Sequence, residues 1–165
     1  MPDELILRAP LSGVIYPLER VPDPVFAQKL MGDGLAIDPI DGTLRAPCGG
    51  EIVQLHPASH ALTLRTAGGV DILLHIGIDT VTLKGAGFTP RIRQGDKVAA
   101  GAPLIDFDID QLATTAKSLL TEVIVTNGEA ATIASRASGK VRANDDTLLT
   151  LSLLNGAGRA EVAGD

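Results

Sequence analysis

Cysteine and aromatic residues are scarce in this 165-residue chain, and each scarcity excludes a class of structure. A single cysteine, Cys48, rules out an internal disulfide and a zinc ribbon, and its place between Pro47 and Gly49 predicts a small core or turn residue. Aromatic residues make up 2% of the chain and tryptophan is absent, so the core must consist of Val, Ile, Leu and Ala.

Positive charge and long apolar runs are lacking as well. The formal net charge is −6, which argues against a nucleic-acid partner and fits a partner with a basic docking face. The N-terminus lacks the basic stretch of a signal peptide, and no apolar run approaches the roughly 20 residues needed to cross a bilayer. These absences predict a cytoplasmic protein without direct membrane insertion.

Glycine and proline, by contrast, are plentiful. The chain has 18 Gly and 10 Pro in a composition that is 45% hydrophobic, which favours one compact all-β domain over a helical bundle. Glycine followed by aliphatic residues recurs at 9–15, 46–53 and 137–141, as expected of strands wrapped into a sandwich or barrel. Residues 155–165 are small and polar, which predicts a tail or linker after a domain that spans residues 1–154.

The residue pattern predicts strands interrupted by two short helical segments. Asp23 and Pro24 have the residue types of a helix N-cap and a first helical position, which places one helical turn within residues 21–29. A second short helix is expected near Gln111–Ser118, after the capping candidates Asp108 and Asp110. The main predicted strands are Leu35–Ile37, Ile52–Leu55, Ala61–Arg65, Val70–Ile76, Pro103–Asp108, Glu122–Val125 and Leu148–Leu153.

The most β-prone of these strands carries His75. Every second residue from Val70 to Ile76 is aliphatic, so one face of the strand is wholly apolar and is predicted to be buried against a core. His75 lies on the opposite face, beside Leu73 and just before the flexible Gly77. A histidine in this position is a candidate for chemistry.

A second histidine, His60, is predicted to lie beside His75. If Gly68 and Gly69 form a two-residue hairpin loop, Leu62 faces His75 and His60 lies diagonal to it on the same face. A register shifted by two residues would bring His60 directly opposite His75. A three-residue loop would break this inference, because a shift by one residue moves every side chain to the other face.

Two adjacent imidazoles suggest metal binding, proton transfer or phosphoryl transfer. In phosphoryl transfer, one ring is the nucleophile and the other donates a hydrogen bond to the phosphoryl oxygens. A purely structural role for each histidine is the remaining alternative, and the residues alone do not decide among these. His56 precedes Pro57, which disfavours a helix, so His56 is interpreted as a loop or rim residue.

The run that begins at His75 resembles a known signature. The sequence HIGIDTVTLKGAGF at residues 75–88 is similar to the signature of the glucose-type enzyme IIA of the bacterial phosphoenolpyruvate-dependent sugar phosphotransferase system. In that family the first histidine of the run is the phosphorylated residue. The resemblance extends from about Ala9 to Leu153 and includes the segments 9–13, 21–27, 32–34, 46–50, 60–61 and 116–118.

The resemblance implies an antiparallel β-sandwich or flattened barrel with short helical turns, of the duplicated hybrid-motif kind. It implies that Nε2 of His75 accepts a phosphoryl group from the phosphohistidine of HPr. The group would then pass to a cysteine of the IIB domain of a sugar permease, of the glucose or N-acetylglucosamine class. His60 would support the phosphoryl group without being phosphorylated itself. No cofactor is required, although relatives can hold zinc at the positions of His60 and His75.

The same resemblance assigns four residues to partner docking. Asp23 and Asp79 match acidic positions that face arginines of the donor, and Val25 and Phe26 match an apolar lip around the site. Each has a structural alternative. Asp23 is a candidate helix cap, Asp79 a candidate turn cap, and Val25 and Phe26 are candidate core residues.

Three positions depart from the best-known members of the family. Ala58 stands where many relatives have a threonine that can hydrogen-bond a histidine. Leu73 replaces an aromatic residue found in some members, and His56 stands where an apolar residue is common. The docking face is therefore expected to be less aromatic.

Two other classes of function stay open at this point. A zinc-dependent hydrolase of related β-sandwich architecture would use clustered histidines. Catalytic zinc usually takes three protein ligands, however, and no third ligand near His60 and His75 can be named from the sequence. An interaction module within a longer fused chain is the other alternative, suggested by the small residues of segment 155–165.

Overall fold

The computed structural model describes residues 3–154. Within this range the chain forms fourteen β-strands, two short α-helices and two 3-10 turns. The helices are α1 (Pro24–Ala27) and α2 (Ile109–Thr115), and the 3-10 turns are Leu18–Arg20 and Thr80–Leu83. The strands are β1 (Glu4–Arg8), β2 (Gly13–Pro17), β3 (Asp33–Pro39), β4 (Thr43–Arg45), β5 (Gly50–Leu55), β6 (Ala61–Arg65), β7 (Asp71–His75), β8 (Phe88–Pro90), β9 (Lys97–Val98), β10 (Pro103–Phe107), β11 (Thr121–Val125), β12 (Ala131–Arg136), β13 (Lys140–Val141) and β14 (Thr147–Leu153).

These strands pair antiparallel in three sheets. The large sheet has the order β13-β2-β3-β11-β7-β6-β5-β9, and two three-stranded sheets have the orders β1-β14-β12 and β4-β10-β8. Buried aliphatic side chains from all three sheets form one core, among them Leu7, Leu44, Ile72 and Leu149. Full burial of each such side chain stabilises the fold by about 2 kcal/mol. The predicted antiparallel β-sandwich is confirmed.

The main strands predicted from the sequence are observed within two residues of their expected bounds. The sequence analysis missed β4, β8, β9 and β12, of which the first three have only two or three residues each. Such short runs give too few alternating positions to be recognised by period. The predicted tail at 155–165 lies outside the described residues.

Both helices begin at the predicted caps. The Asp23 side chain accepts a hydrogen bond from the Val25 N–H at 2.9 Å, and Asp108 accepts from the Gln111 N–H at 3.0 Å. The second helix begins and ends earlier than expected, at 109 and 115 rather than 111 and 118. No helix among residues 3–154 is long and apolar enough to cross a membrane.

A smaller apolar cluster covers the outer face of the large sheet. It contains Leu18, Val21 and Phe26 from the segment that leads into and forms α1, together with Ala36 of β3 and Ile124 of β11. All five residues of β11 are therefore buried, since the strand has an apolar cluster on each side. The outer cluster reaches the end of β7, where His75 lies.

Cys48 belongs to the main core. Its residue is 6% exposed, and burial raises the pKa of its thiol to about 12. The cysteine is the small core residue that its neighbours predicted, and its thiol stays protonated at neutral pH.

Candidate active site

His75 is the last residue of β7, and its ring is held by a backbone carbonyl. The apolar face of the strand is buried as predicted, and the His75 side chain on the other face is 19% exposed. Its Nδ1 lies 2.9 Å from the carbonyl oxygen of Gly77. A carbonyl can only accept, so Nδ1 carries the proton and Nε2 keeps a free lone pair. In this tautomer Nε2 is the ring nitrogen that can act as a nucleophile.

Gly77 is required at the turn that supplies this carbonyl. Its φ is +73°, and a Cβ added there would lie 2.7 Å from Cγ2 of Thr80 and 2.9 Å from the carbonyl oxygen of Ser118. Any larger residue would displace one of these neighbours, which hold the turn in place. The glycine therefore fixes the carbonyl that sets the tautomer of His75.

The predicted register of the β6–β7 hairpin is wrong. Ala61, not Leu62 or His60, pairs with His75. The loop has three residues, Ala67 to Gly69, because the N–H of Thr66 donates to the carbonyl oxygen of Val70 at 2.9 Å. By strand alternation, this register would direct His60 toward the core.

His60 nevertheless contacts His75, because it lies just before β6 begins. It follows Ser59, whose φ of +64° turns the chain, so the alternation of the strand does not extend to it. Its ring lies edge-on to that of His75, with centroids 5.0 Å apart and an interplanar angle of 84°. The predicted proximity of the two histidines is confirmed by a different local geometry.

The His60 ring is buried and stays neutral. The residue is 3% exposed, and its Nδ1 has no hydrogen-bond partner among the described residues. Burial, followed by the nearby His75 and His56, lowers its pKa to about 4. At neutral pH this ring can donate one hydrogen bond but carries no charge.

His56 is a third imidazole beside the pair. Its ring centroid lies 4.4 Å from that of His60, and its Nδ1 accepts a hydrogen bond from the Ala58 N–H at 3.0 Å. A neutral ring with Nδ1 occupied in this way has its proton on Nε2 and no free lone pair. The interpretation of His56 as a loop residue at the rim agrees with its place after β5, although the sequence did not predict its contact with His60.

The three rings line an open depression of about 800 Å³ together with apolar side chains and several polar ones. Phe26 is 5% exposed, and its ring centroid lies 5.0 Å from that of His75. Val25, by contrast, is 40% exposed, and Val81 is 49% exposed. Phe26 thus forms a wall of the site, whereas Val25 and Val81 present apolar surface around it.

The two predicted acidic residues differ in what they contact. Asp23 caps α1 and is close enough to His75 to raise the pKa of that ring, although burial has the larger effect and lowers it overall. Asp79 is exposed, has a φ of +57°, and makes no capping hydrogen bond with its side chain. The turn-cap alternative for Asp79 is therefore wrong, while the helix-cap role of Asp23 is observed.

Glu122 is a site residue that the sequence analysis missed. It pairs with His75 across β11 and β7, and it is completely buried. Its Oε1 lies 3.2 Å from Nδ1 of His75. Burial raises the pKa of Glu122 to about 10 and lowers that of His75, so this contact joins two neutral groups and is not an ion pair. The available signal was a carboxylate inside the apolar run 119–125.

Comparisons with known proteins identify the family of this chain. Residues 5–131 match the family described as phosphoenolpyruvate-dependent sugar phosphotransferase system, EIIA 1. The chain belongs to this EIIA family. It is 46% identical over 153 residues to the PTS system glucose-specific EIIA component of Halalkalibacterium halodurans, covering 92% of this chain and 88% of that protein. It is 44% identical over 129 residues to the component of the same name from Bacillus cereus, covering 78% of each.

A solved structure supports the same assignment for the fold. The glucose permease IIA from Mycoplasma capricolum superposes with a TM-score of 0.86 at 36% identity, covering 90% of this chain and 96% of that one. The resemblance found in the sequence is thus confirmed, both as an EIIA family and as an antiparallel β-sandwich.

The zinc-hydrolase alternative finds no support in the donor set. Residues 3–154 contain no group of three or more His, Cys, Asp or Glu side chains placed to hold a metal ion. His56 directs its Nδ1 to a backbone N–H, so it does not complete a third ligand through that atom. A catalytic zinc site of the usual three-ligand kind is therefore not formed by His60 and His75.

Glu122 in this EIIA domain should make stability fall as pH rises. Its ordinary pKa of 4.5 applies in the unfolded chain, so unfolding releases a proton at any pH between 4.5 and about 10. The free energy of unfolding then falls with pH, by on the order of 1 kcal/mol per pH unit at most. Glu122→Gln cannot ionise, so its stability relative to wild type should increase from pH 7 to pH 8.5.

Denaturant unfolding of both proteins at several pH values measures this difference. His60 is present in both proteins and does not contribute to the difference between them. Its lowered pKa affects stability only below about pH 6.5, where the ring of the unfolded chain takes up a proton. A difference between the two proteins that stays constant from pH 7 to 8.5 would contradict a neutral, buried Glu122.

Proposed function

We propose that this protein is a phosphoryl carrier of the glucose-class sugar phosphotransferase system. Nε2 of His75 accepts the phosphoryl group from phospho-HPr and passes it to the IIB domain of a sugar permease. His60 supports the phosphoryl group during onward transfer. The relatives named glucose-specific EIIA components favour this role and this sugar class.

The observation that carries the proposal is the fixed tautomer of a partly exposed histidine. The Gly77 carbonyl holds the proton on Nδ1, and His75 lines the depression with 19% of its side chain exposed. A nucleophile that must meet two macromolecular partners in turn has to be both oriented and reachable. His75 meets both conditions, whereas His60 is buried and His56 lacks a free lone pair.

The surroundings suit a labile intermediate. Phosphoryl transfer needs positioning and charge stabilisation more than a strong base. The buried Phe26 wall and the apolar surface of Val25 and Val81 exclude water once a partner docks, which limits hydrolysis of the phosphohistidine. The side chains of residues 3–154 form no three-ligand zinc site, so zinc between His60 and His75 would take a further ligand from outside this range, such as a partner protein.

The wild-type protein tests the proposal directly. Incubation with phosphoenolpyruvate, enzyme I and HPr should give one acid-labile phosphoryl group per chain, mapped to His75 by mass spectrometry and to Nε2 by 31P NMR. Addition of a glucose-permease IIB domain should remove the label from His75. Failure to label, or a label on another residue, would refute the assignment.

Docking of the donor should depend on the free carboxylate of Asp79. Asp79→Lys places a positive charge beside the site, so we expect KM for phospho-HPr to rise about tenfold at low salt with little change in kcat, since a rim charge acts mainly on encounter. The shift should shrink at high ionic strength. Glu4→Lys makes the same change in net charge on β1, which belongs to another sheet, and should leave KM unaltered. Equal KM values for both variants would exclude Asp79 from docking.

A further inference from the structure

The proposed function leaves one buried ionisable residue without a role. Glu122 has no exposed surface, and neither of its carboxyl oxygens has a well-aligned hydrogen bond within residues 3–154. It shares the outer face of the sheet with Ala36 across β3 and with Ile124 two residues along β11, both members of the small apolar cluster. An unpartnered carboxyl group in such surroundings destabilises the fold.

The polar atom that Glu122 does approach is Nδ1 of His75. The two residues are direct partners across β11 and β7, and Oε1 lies 3.2 Å from Nδ1. The Nδ1 proton is directed at the Gly77 carbonyl oxygen, 2.9 Å away, so the carboxyl oxygen lies beside this N–H rather than on its axis. Nδ1 therefore has two oxygen neighbours, one from the turn and one from the adjacent strand.

Charge on the ring changes when His75 is phosphorylated. The Nε2 lone pair forms the new N–P bond, the P–N bond to the donor histidine breaks, and that electron pair returns to the donor ring. No proton leaves His75 in this step, so Nδ1–H remains and the ring gains one positive charge. Groups that place negative charge near Nδ1 stabilise this state relative to the unphosphorylated ring.

We propose that Glu122 is a positioning residue that stabilises the cationic ring of phosphorylated His75 through Oε1. A carboxyl oxygen is partly negative when neutral and fully negative when ionised, so it favours the cationic ring in either state. Asp23 acts in the same direction from the N-cap of α1, and it is close enough to affect the pKa of both His75 and Glu122. The contact resembles the way a buried carboxylate orients and stabilises the histidine of a catalytic triad.

This inference rests on the proposed function and makes a separate claim about equilibrium. A residue that only shapes the site would change the forward and reverse transfer rates together. A residue that stabilises the phosphorylated ring raises the equilibrium constant for transfer from phospho-HPr to His75. The equilibrium constant thus distinguishes charge stabilisation from packing.

The experiment measures this constant for the wild type, Glu122→Leu and Glu122→Gln by quantifying phosphorylated and free forms of both proteins. We expect Glu122→Leu to lower it about tenfold or more, as when a single charge-stabilising group is lost. Glu122→Gln should fall between the two, because the amide keeps a partly negative acceptor oxygen but cannot ionise when the ring becomes cationic. Ile124→Val alters packing on the same strand face, at a position that pairs with Leu73 rather than His75, and should leave the constant unchanged.

Folding of the variants does not obscure the result. Glu122→Leu removes an unpartnered buried carboxyl and should melt at a higher temperature than the wild type at pH 8, while transferring less favourably. A wild-type equilibrium constant in both folded variants would overturn the inference and leave the proposed function intact. A wild-type protein that takes no label on His75 would overturn the proposed function and the inference with it.

Discussion

Replacing His75 by alanine should abolish labelling of this protein by phosphoenolpyruvate, enzyme I and HPr. The substitution removes the ring whose Nδ1 is fixed by the Gly77 carbonyl and whose Nε2 is free to attack phosphorus. The other two histidines cannot take over. His60 is 3% exposed, and His56 has its proton on Nε2 because its Nδ1 accepts from Ala58. Gel-shift or mass-spectrometric detection of phosphohistidine should give a signal at background.

His56→Ala is the matched control for loss of an imidazole from the same depression. The variant should retain the label, since the His56 ring that it lacks lies at the rim and, in the neutral form, offers no free lone pair. Circular dichroism of both variants should show the same β-rich fold, because each substitution removes only a side-chain bond, from His56 to the Ala58 N–H or from His75 to the Gly77 carbonyl, and leaves the bonds between strands in place. Label that persists on folded His75→Ala would assign the nucleophile to another residue and refute the proposed role of His75.

The burial of the His75 strand could be predicted from local pattern alone. Aliphatic residues at every second position of β7 form its buried face, and the burial of Ile72 and Leu74 confirms this reasoning. The hairpin register could not be predicted in the same way. The Thr66 hydroxyl accepts a hydrogen bond from the Val70 N–H at 3.0 Å, which helps to close a three-residue loop around Gly69. One side-chain hydrogen bond thus favours a register that the Gly-Gly pair alone did not indicate.

Glu122 and His56 show why the rest of the site was not predicted. Glu122 was placed on a strand from the sequence, but its contact with His75 depends on β11 pairing with β7, which lies 46 or more residues earlier in the chain. His56 was placed correctly in a loop, and its ring contact with His60 depends on the turn at Ser59. Pairing order and turn geometry are properties of the assembled fold, so neither follows from local pattern.

Replacing His60 by alanine should separate acceptance of the phosphoryl group from its donation. Acceptance depends on the nucleophile of His75, whose tautomer is fixed by Gly77 and not by His60. The incoming group is also held by the phosphohistidine of HPr until the new bond forms. We therefore expect His60→Ala to be labelled by phospho-HPr, at a reduced rate, while transfer from His75 to a IIB domain falls about 100- to 1,000-fold, as when a donor to a developing oxyanion is removed.

The reason for this difference lies in what holds the phosphoryl group between the two transfers. After HPr leaves, the phosphoryl oxygens on His75 must be fixed in line for an attacking cysteine, and the neutral ring of His60, 5.0 Å from the His75 ring, can donate an N–H to them. Single-turnover measurement of label loss to IIB, with His56→Ala as control, tests this. His60→Ala should leave the backbone intact, because Ile76 bonds to the carbonyl oxygen of residue 60 and not to its side chain. Onward transfer at the wild-type rate would show that His75 and its partner position the phosphoryl group without the second histidine.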